Sequence, residues 1–217
     1  MNSKKKFAVV LSGCGVYDGS EIHEATLAMY AISKNGGEYQ IFAPNIEQHH
    51  VINHLTGEEM AEKRNVLVEA ARIARGNIKD LQEFRATDYD AILFPGGFGV
   101  AKNLCSFAFK GSDCEVDKEV ERVLKEMHLA RKPIGALCIA PALIAKILTG
   151  VEVTIGNDVT TAEAITKMGA KHVNAGHGEI VFDKDNKIVT TPCYMLDASI
   201  AQIGEGAENV VKTMMAL

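Results

Sequence analysis

Short apolar runs alternate with longer segments of helical periodicity up to about Gly150. The runs have the length and the β-branched or aromatic content of buried strands, and they cover residues 7–11, 39–43, 91–94 and 133–137. Apolar residues three or four positions apart predict helices over 20–34, 58–74, 115–131 and 139–148. We expect no further helix between 74 and 90, and a long loop before residue 115. Four strand–helix steps predict a mainly parallel, doubly wound α/β sheet with helices on both faces.

The pattern changes after Gly150. Brief apolar segments predict strands at 151–155, 172–173, 179–183 and 188–191, and Asp185 with Asn186 predicts the turn of a hairpin. Helical spacing returns at 161–168 and at 196–215, where Gly204 and Gly206 are expected to kink or split the last helix. Because no repeat, low-complexity segment or linker interrupts the 217 residues, we expect one domain, 1–217.

Composition narrows the expected partners. With 47% hydrophobic residues, the chain can bury a sizeable core. Its formal net charge is −5 and its basic run is confined to Lys4, Lys5 and Lys6, so neither nucleic acid nor an anionic membrane is an expected partner. No stretch approaches the ~20 apolar residues of a membrane span. The expected partners are therefore small molecules or other proteins.

The cysteines indicate free thiols. There are five of them, an odd number, and they show neither a CxxC pair nor the Cys/His spacing of structural zinc. Free thiols suit a reducing compartment, which predicts a cytoplasmic protein. The segment from Lys4 to Cys14 resembles a lipoprotein export signal, but its apolar run falls short of the roughly 7–15 residues that an export core needs.

Cys138 is the best-supported candidate for chemistry. It lies between the predicted strand 133–137 and the helix that follows. Such a turn exposes a side chain at the carboxyl edge of a parallel sheet, where open α/β folds place their sites. The N–H groups and positive potential of the helix N-terminus favour the thiolate. The alternative is a buried structural cysteine, because free Cys behaves as a small hydrophobe.

Gly96 and Gly97 form a second turn at the same edge, after the strand 91–94. Adjacent glycines let backbone N–H groups face a bound oxygen without a side chain in the way. The N–H groups of Gly97 and Ile139 are therefore candidates for an oxyanion hole. A pair of glycines alone is more often only a tight turn.

The first predicted helix adds carboxylates near this edge. Glu21 and Glu24 lie three residues apart and share a helix face. Glu24 lies deeper in the helix and is the candidate to reach the thiol, whereas Glu21 and Asp18 suit a solvated first turn that complements the helix dipole. We expect His23 at the surface.

Weaker signals surround these residues. Tyr17 and Asn103 are candidates to line the mouth of the pocket. Cys14, on a loop at the same sheet edge, is a candidate second thiol near the site, and the alternative is an ordinary glycine-flanked turn residue. Three histidines on a predicted loop lack a defined facing geometry, so we predict no metal site at His49, His50 and His54.

Leu93-Phe94-Pro95-Gly96-Gly97, Ala136-Leu137-Cys138 and Glu24 resemble the ThiJ/PfpI superfamily, which is related in fold to class I glutamine amidotransferases. Longer strings resemble the ElbB-like proteins of that superfamily, and they are 11–24, 51–57 and 188–192. The resemblance runs essentially from end to end. It implies a flavodoxin-like, class I glutamine amidotransferase-like sandwich, a link to isoprenoid biosynthesis and a homodimer.

The same resemblance implies a cofactor-independent glyoxalase, a lyase that converts the small dicarbonyl glyoxal to glycolate. By position, Cys138 matches the nucleophile, Glu24 its acidic partner, and Gly97 with Ile139 the oxyanion donors. We expect a hemithioacetal on Cys138 that proton transfer by Glu24 converts to a thioester. Many members carry a histidine directly after the cysteine or on the following strand. Here Ile139 and residues 153–156 supply none, which argues against a Cys–His triad.

Three alternatives remain at the level of sequence. A glutamine amidase would need a histidine and a carboxylate, and His177 with Glu179 supplies that pair along the chain. The second alternative is a non-catalytic role, in which an exposed thiolate senses oxidants or the domain binds a partner protein. Repair of glycated protein amines would use the same groups as a glyoxalase.

Overall fold

The strands and helices follow the order that the apolar runs predict. The computed structural model describes residues 4–217, and its strands are β1 (Lys6–Val10), β2 (Glu38–Ala43), β3 (Ile78–Asp80), β4 (Ala91–Phe94), β5 (Ile134–Leu137), β6 (Glu152–Val153), β7 (Lys171–His172), β8 (Val181–Asp183) and β9 (Ile188–Thr191). Its α-helices are α1 (Ile22–Lys34), α2 (Val66–Ile73), α3 (Phe107–Lys110), α4 (Lys118–Leu129), α5 (Ala140–Ile147), α6 (Val159–Lys167) and α7 (Ile200–Met215).

Seven of these strands form one sheet, in the order β3-β2-β1-β4-β5-β9-β8. Every neighbouring pair is parallel except β8 and β9, which form the expected antiparallel hairpin. The strands β6 and β7 pair separately, in parallel. The predicted mainly parallel, doubly wound α/β fold is therefore confirmed. Its parallel strands direct their carboxyl ends, and the turns that follow them, to one edge.

Helices cover both faces of the sheet, and β1 shows how the residues divide. Phe7 and Val9 lie in the apolar cluster beneath α1, α2 and α7, whereas Ala8 and Val10 lie in the cluster beneath α4, α5 and α6. All four are fully buried. Successive side chains of a strand point to opposite faces, so a central strand with both faces covered must be apolar throughout.

Two local predictions are wrong, and one strand was missed. The helix expected over 58–74 begins only at Val66, because the Asn65 side chain caps it by accepting the N–H of Val68 at 3.1 Å. The strand β3 was not predicted, since it is short and only half-buried. The expected long loop before residue 115 contains a π-helical turn, Val100–Leu104, and the short helix α3.

The last helix is also neither kinked nor split. Ser199 starts α7 with a capping box, and the helix continues unbroken through Gly204 and Gly206. A Cβ at Gly206 would lie 2.9 Å from Thr191 Oγ1, so this glycine lets α7 approach β9 closely rather than bending it. At the other end of the sheet, Lys5 Nζ donates to Met214 O at 3.1 Å.

Candidate active site

Cys138 lies on a sharp turn between β5 and α5. Its φ is +61°, a left-handed conformation that non-glycine residues adopt only where the surrounding structure enforces it. The Cys138 N–H donates to Thr191 O at 3.0 Å, which extends the β5–β9 ladder by one residue and fixes the turn. The residue is 7% exposed, so the thiol is accessible only through the cavity that it lines.

The Glu24 carboxylate lies beside this thiol and is fully buried. Its Oε2 accepts the N–H of Gly96 at 2.9 Å, and its Oε1 accepts the N–H of Tyr194 at 3.2 Å. The Cys138 thiol is its neighbour across Gly96, where an added Cβ would lie 2.6 Å from Glu24 Oε2 and 2.9 Å from Cys138 Sγ. Glu24 is therefore held from two sides by backbone amides, with the sulfur close by.

Burial changes the protonation of both groups. It raises the pKa of Glu24 to about 8, with a further contribution from the charge of Glu21. Burial, followed by the charge of Glu24, raises the pKa of the Cys138 thiol well above its usual value. The N–H groups of Gly97 and Ile139 act in the opposite direction but are outweighed. Both shifts favour the protonated forms, so the expected resting thiolate at Cys138 is not supported.

The glycine turn allows this close approach. A Cβ at Gly96 would lie 2.4 Å from Cys138 Cβ and 2.6 Å from Glu24 Oε2, so only glycine fits. Gly97 has a φ of +100°, which turns its N–H toward the sulfur. The N–H groups of Gly97 and Ile139 both act to lower the pKa of the Cys138 thiol. They are the two groups that the sequence predicts as oxyanion donors.

Cys138 opens onto a cavity of about 600 Å³. Apolar side chains form most of its wall, and the larger of them are Val16, Phe98, Phe107, Phe109, Ile139 and Met195. Polar contributions come from Tyr194 and from the start of α6, at Asp158, Thr160 and Thr161. The Asp158 side chain is engaged there as a helix cap, accepting the N–H of Thr161 at 2.8 Å.

Three residues expected near the pocket lie outside this cavity. Cys14 is half-buried and does not line the cavity, and burial, followed by the charge of Glu69, raises its pKa. Tyr17 stacks on His54, with ring centroids 4.8 Å apart. Asn103 is buried, and its Nδ2 donates to Ser12 O and Asp18 O at 2.9 Å each. It connects loops and does not reach the cavity.

Sequence reasoning missed two neighbours of the thiol, Cys193 and Tyr194. Cys193 is 7% exposed and lies in the same buried cluster as Cys138. Burial raises its pKa, and the charges of Glu24 and Cys138 add to the effect. Tyr194 donates its N–H to Glu24 and lines the cavity, and its hydroxyl lies 2.9 Å from Nδ1 of the half-exposed His23. Because β9 pairs with β5, the turn after residue 191 had to meet Cys138 at the same edge.

The histidines do not join this site. His177 and Glu179 line a different cavity, between the β8 segment and α7, so the geometry does not support the amidase triad. His49 and His50 pack with Phe109, at centroid distances of 4.3 and 5.5 Å. Within residues 4–217, no group of three or more His, Cys, Asp or Glu side chains is arranged to hold a metal ion.

Comparison with known proteins identifies the family. The model of the DJ-1/PfpI family matches residues 14–197. The chain belongs to the DJ-1/PfpI family. The resemblance to ThiJ/PfpI proteins is thereby confirmed. Two curated relatives extend the match: a human glutamine amidotransferase-like class 1 domain-containing protein 3, 52% identical over 98% of this chain and 83% of that protein, and a rat ES1 protein homolog, 51% identical over 99% and 84%.

Solved structures agree with this assignment. A protein of Ehrlichia chaffeensis, described as an isoprenoid biosynthesis protein with an amidotransferase-like domain, is 37% identical, with a TM-score of 0.90 over 97% of this chain and 99% of its own. It confirms the ElbB-like resemblance and the class I glutamine amidotransferase-like fold. Glyoxalase III of Candida albicans is 15% identical, with a TM-score of 0.63 over 98% and 96% of the two chains, and shares the fold.

The relatives also correct one prediction. Both the human and the rat proteins are named as mitochondrial, so the prediction of a cytoplasmic protein is wrong. Free cysteines indicate a reducing environment, but they do not distinguish one reducing compartment from another. None of the helices between residues 4 and 217 has the length and apolarity needed to cross a membrane.

Proposed function

We propose that this protein is a cofactor-independent glyoxalase that converts glyoxal to glycolate on Cys138, with Glu24 as acid and base. One observation carries the proposal: the fully buried Glu24, whose pKa is raised to about 8, and the Cys138 thiol flank Gly96 so closely that a Cβ there would lie 2.6 Å from Glu24 Oε2 and 2.9 Å from Cys138 Sγ. No histidine between residues 4 and 217 lines this cavity. The carboxylate is therefore the base available to the thiol, and its pKa suits proton transfer near neutral pH.

The chemistry starts with addition of the thiol to one aldehyde carbon. As the S–C bond forms, the thiol proton passes to the Glu24 carboxylate, and the carbonyl π electrons move to the oxygen, which the N–H groups of Gly97 and Ile139 stabilise. The new alkoxide takes the proton back from Glu24. The product of this step is a neutral hemithioacetal, with the carboxylate restored.

Glu24 then moves a second proton. The carboxylate removes the C–H proton of the hemithioacetal carbon, and the electron pair forms an enediolate with the neighbouring carbonyl. Return of the proton to that neighbouring carbon, with transfer of the hydroxyl proton of the enediolate to its alkoxide oxygen, gives the thioester of glycolate. Water attacks the thioester, the C–S bond breaks, and the thiol leaves with a proton. One glyoxal and one water give one glycolate, with no electron acceptor.

The test is glycolate formation from glyoxal by the purified protein with no added cofactor or amine. We expect turnover in the wild type and a loss of at least about 100-fold in Cys138→Ala and in Glu24→Gln, since each removes a group that the steps require. Cys14→Ser is the matched control, a cysteine outside the cavity, and it should keep wild-type turnover. Full activity in Glu24→Gln would contradict the role of the carboxylate.

The amine-free assay also separates this function from repair of glycated amines, which consumes no free glyoxal directly. Oxidant sensing is less well supported, because the raised pKa of Cys138 leaves little of the thiolate that peroxides attack. The homodimer implied by the family stays a prediction.

A further inference from the structure

The cavity at Cys138 is large for the proposed substrate. Its volume of about 600 Å³ falls in the range of sites that enclose drug-sized ligands. Glyoxal is the smallest dicarbonyl and would leave most of that space to water. If the proposed function holds, the natural substrate is therefore expected to be larger than glyoxal.

The wall of the cavity indicates what the remaining space would hold. Phe98, Phe107 and Phe109 come from the segment after the glycine turn, and Met195 comes from the turn after β9. Phe98 and Phe109 are 51% and 46% exposed, and with Phe107 they form an aromatic part of the wall, which is the kind of exposed apolar patch that marks a binding site. Aromatic side chains of this kind provide a large contact area for an apolar or aromatic group.

Charge further limits the ligand. No Lys, Arg or His side chain of residues 4–217 lines the cavity. The carboxylate at its rim, Asp158, already accepts the N–H of Thr161. A phosphate or carboxylate on the substrate would therefore lose its hydration without gaining a cationic partner. The cavity suits a neutral, apolar substituent.

We propose that the substrates of Cys138 are α-oxoaldehydes with a bulky apolar substituent, above all an aryl group, seated against Phe98, Phe107 and Phe109. The thiol adds to the aldehyde carbon, Glu24 moves the proton of that carbon to the adjacent ketone carbon, and water hydrolyses the thioester. One arylglyoxal and one water give one aryl-substituted 2-hydroxy acid. The carbon that receives the proton becomes a stereocentre, and a substituent held in the cavity exposes only one of its faces to Glu24.

The test compares phenylglyoxal with glyoxal as substrates of the purified protein. We expect kcat/KM for phenylglyoxal to exceed that for glyoxal by at least about tenfold, because apolar contacts of the phenyl ring in the cavity stabilise the transition state by a factor of this size. The mandelate formed should be predominantly one enantiomer. In Phe109→Ala the ratio of the two kcat/KM values should fall by about tenfold or more. Tyr30→Ala, which removes an exposed aromatic ring on α1 outside the cavity, should leave the ratio unchanged.

The outcomes separate the two proposals. Turnover of glyoxal with equal or weaker turnover of phenylglyoxal would overturn the substrate class and leave the glyoxalase standing. Racemic mandelate, or an unchanged ratio in Phe109→Ala, would show that the aryl group does not occupy this cavity. If the wild type turned over neither aldehyde, the glyoxalase itself would fall. Cys138→Ala, run in parallel, corrects for reaction of phenylglyoxal with arginine side chains.

Discussion

Two pairs of groups around buried thiols differ in their protonation. At the carboxyl edge, burial raises the pKa of both Cys138 and Glu24. In the segment after the π-helical turn, Cys105 Sγ donates to Val100 O at 3.3 Å. The neighbouring Cys105, followed by the charge of Lys146, lowers the pKa of Cys114 to about 7. The pKa of Cys105 is raised in turn. The second pair holds the more acidic thiol.

The comparison shows that the thiol with the lower pKa is not the one placed to react. Cys114 is 2% exposed and does not line the cavity at Cys138. Its thiolate has no substrate space, whereas Cys138 has a cavity, a base and two N–H donors but no resting charge. A thiol can therefore be activated during the reaction by a neighbouring base instead of being ionised beforehand.

The most severe test of this difference is Gly96→Ala. The new methyl group would overlap Cys138 Cβ and Glu24 Oε2, and so separate the thiol from its base. We expect glyoxal turnover to fall by about 100-fold or more, as for a comparable displacement of reacting groups. Gly204→Ala is the control, since a Cβ there meets only Leu27 at 3.8 Å. Wild-type turnover in Gly96→Ala would show that the contact between the two groups is dispensable.

The next largest effect is on stability. The pKa of Glu24 is raised from 4.5 to about 8, so the folded protein keeps a proton that the unfolded chain releases. Its contribution is fully present below pH 4.5 and is lost as the pH rises to about 8. We expect the free energy of unfolding to fall by roughly 1.4 kcal/mol per pH unit in this window, relative to Glu24→Gln.

Denaturant unfolding at several pH values measures this slope. Only the slope of the unfolding free energy against pH is diagnostic. In Glu24→Gln the side-chain NH2 group must face the N–H of Gly96 or of Tyr194, which weakens the fold at every pH. Parallel curves for the two proteins would mean that Glu24 is ionised at all of these pH values.

The Cys114 pair is tested by titration. Ultraviolet thiolate absorbance of the wild type should show one transition near pH 7, which Cys114→Ser removes and Cys138→Ala leaves in place. Loss of this transition in Cys138→Ala would assign the acidic thiol to the turn after β5 and reverse the comparison.

The smallest expected effect comes from Glu21. Its charge contributes to the raised pKa of Glu24. The carboxylate form of Glu24 is the base, so activity should rise with pH through about 8 in the wild type, and Glu21→Gln should move this midpoint downward. Gln at position 21 keeps an oxygen that can cap α1, so the fold should persist. An unmoved midpoint would assign the rise in activity to another group.

The buried parts of the sheet were predictable from sequence because they carry a strong signal. β1, β4 and β5 are continuous apolar runs that end at glycine or cysteine turns, and their parallel order brings Cys138, Gly97 and Glu24 to one edge. β3 could not be predicted in this way, because a strand of three residues, two half-buried and one exposed, has no distinctive pattern.

Other features depend on contacts distant in sequence. Tyr194 approaches Glu24 only because β9 lies beside β5 in the sheet, which a short apolar run does not reveal. The protonation of Cys138 was predicted in the wrong direction for a related reason. The helix N-terminus was visible in the sequence, but the complete burial of the Glu24 carboxylate was not.

The position of α7 has a consequence for synthesis of the chain on the ribosome. Ile203, Val210 and Met214 of this helix pack over the same sheet face as Phe7 and Val9 of β1. That face stays partly uncovered until the last helix has left the exit tunnel, because a domain folds as its elements emerge. The nascent chain therefore presents apolar surface through most of its translation, and an early stop codon that removes α7 would leave an aggregation-prone sheet.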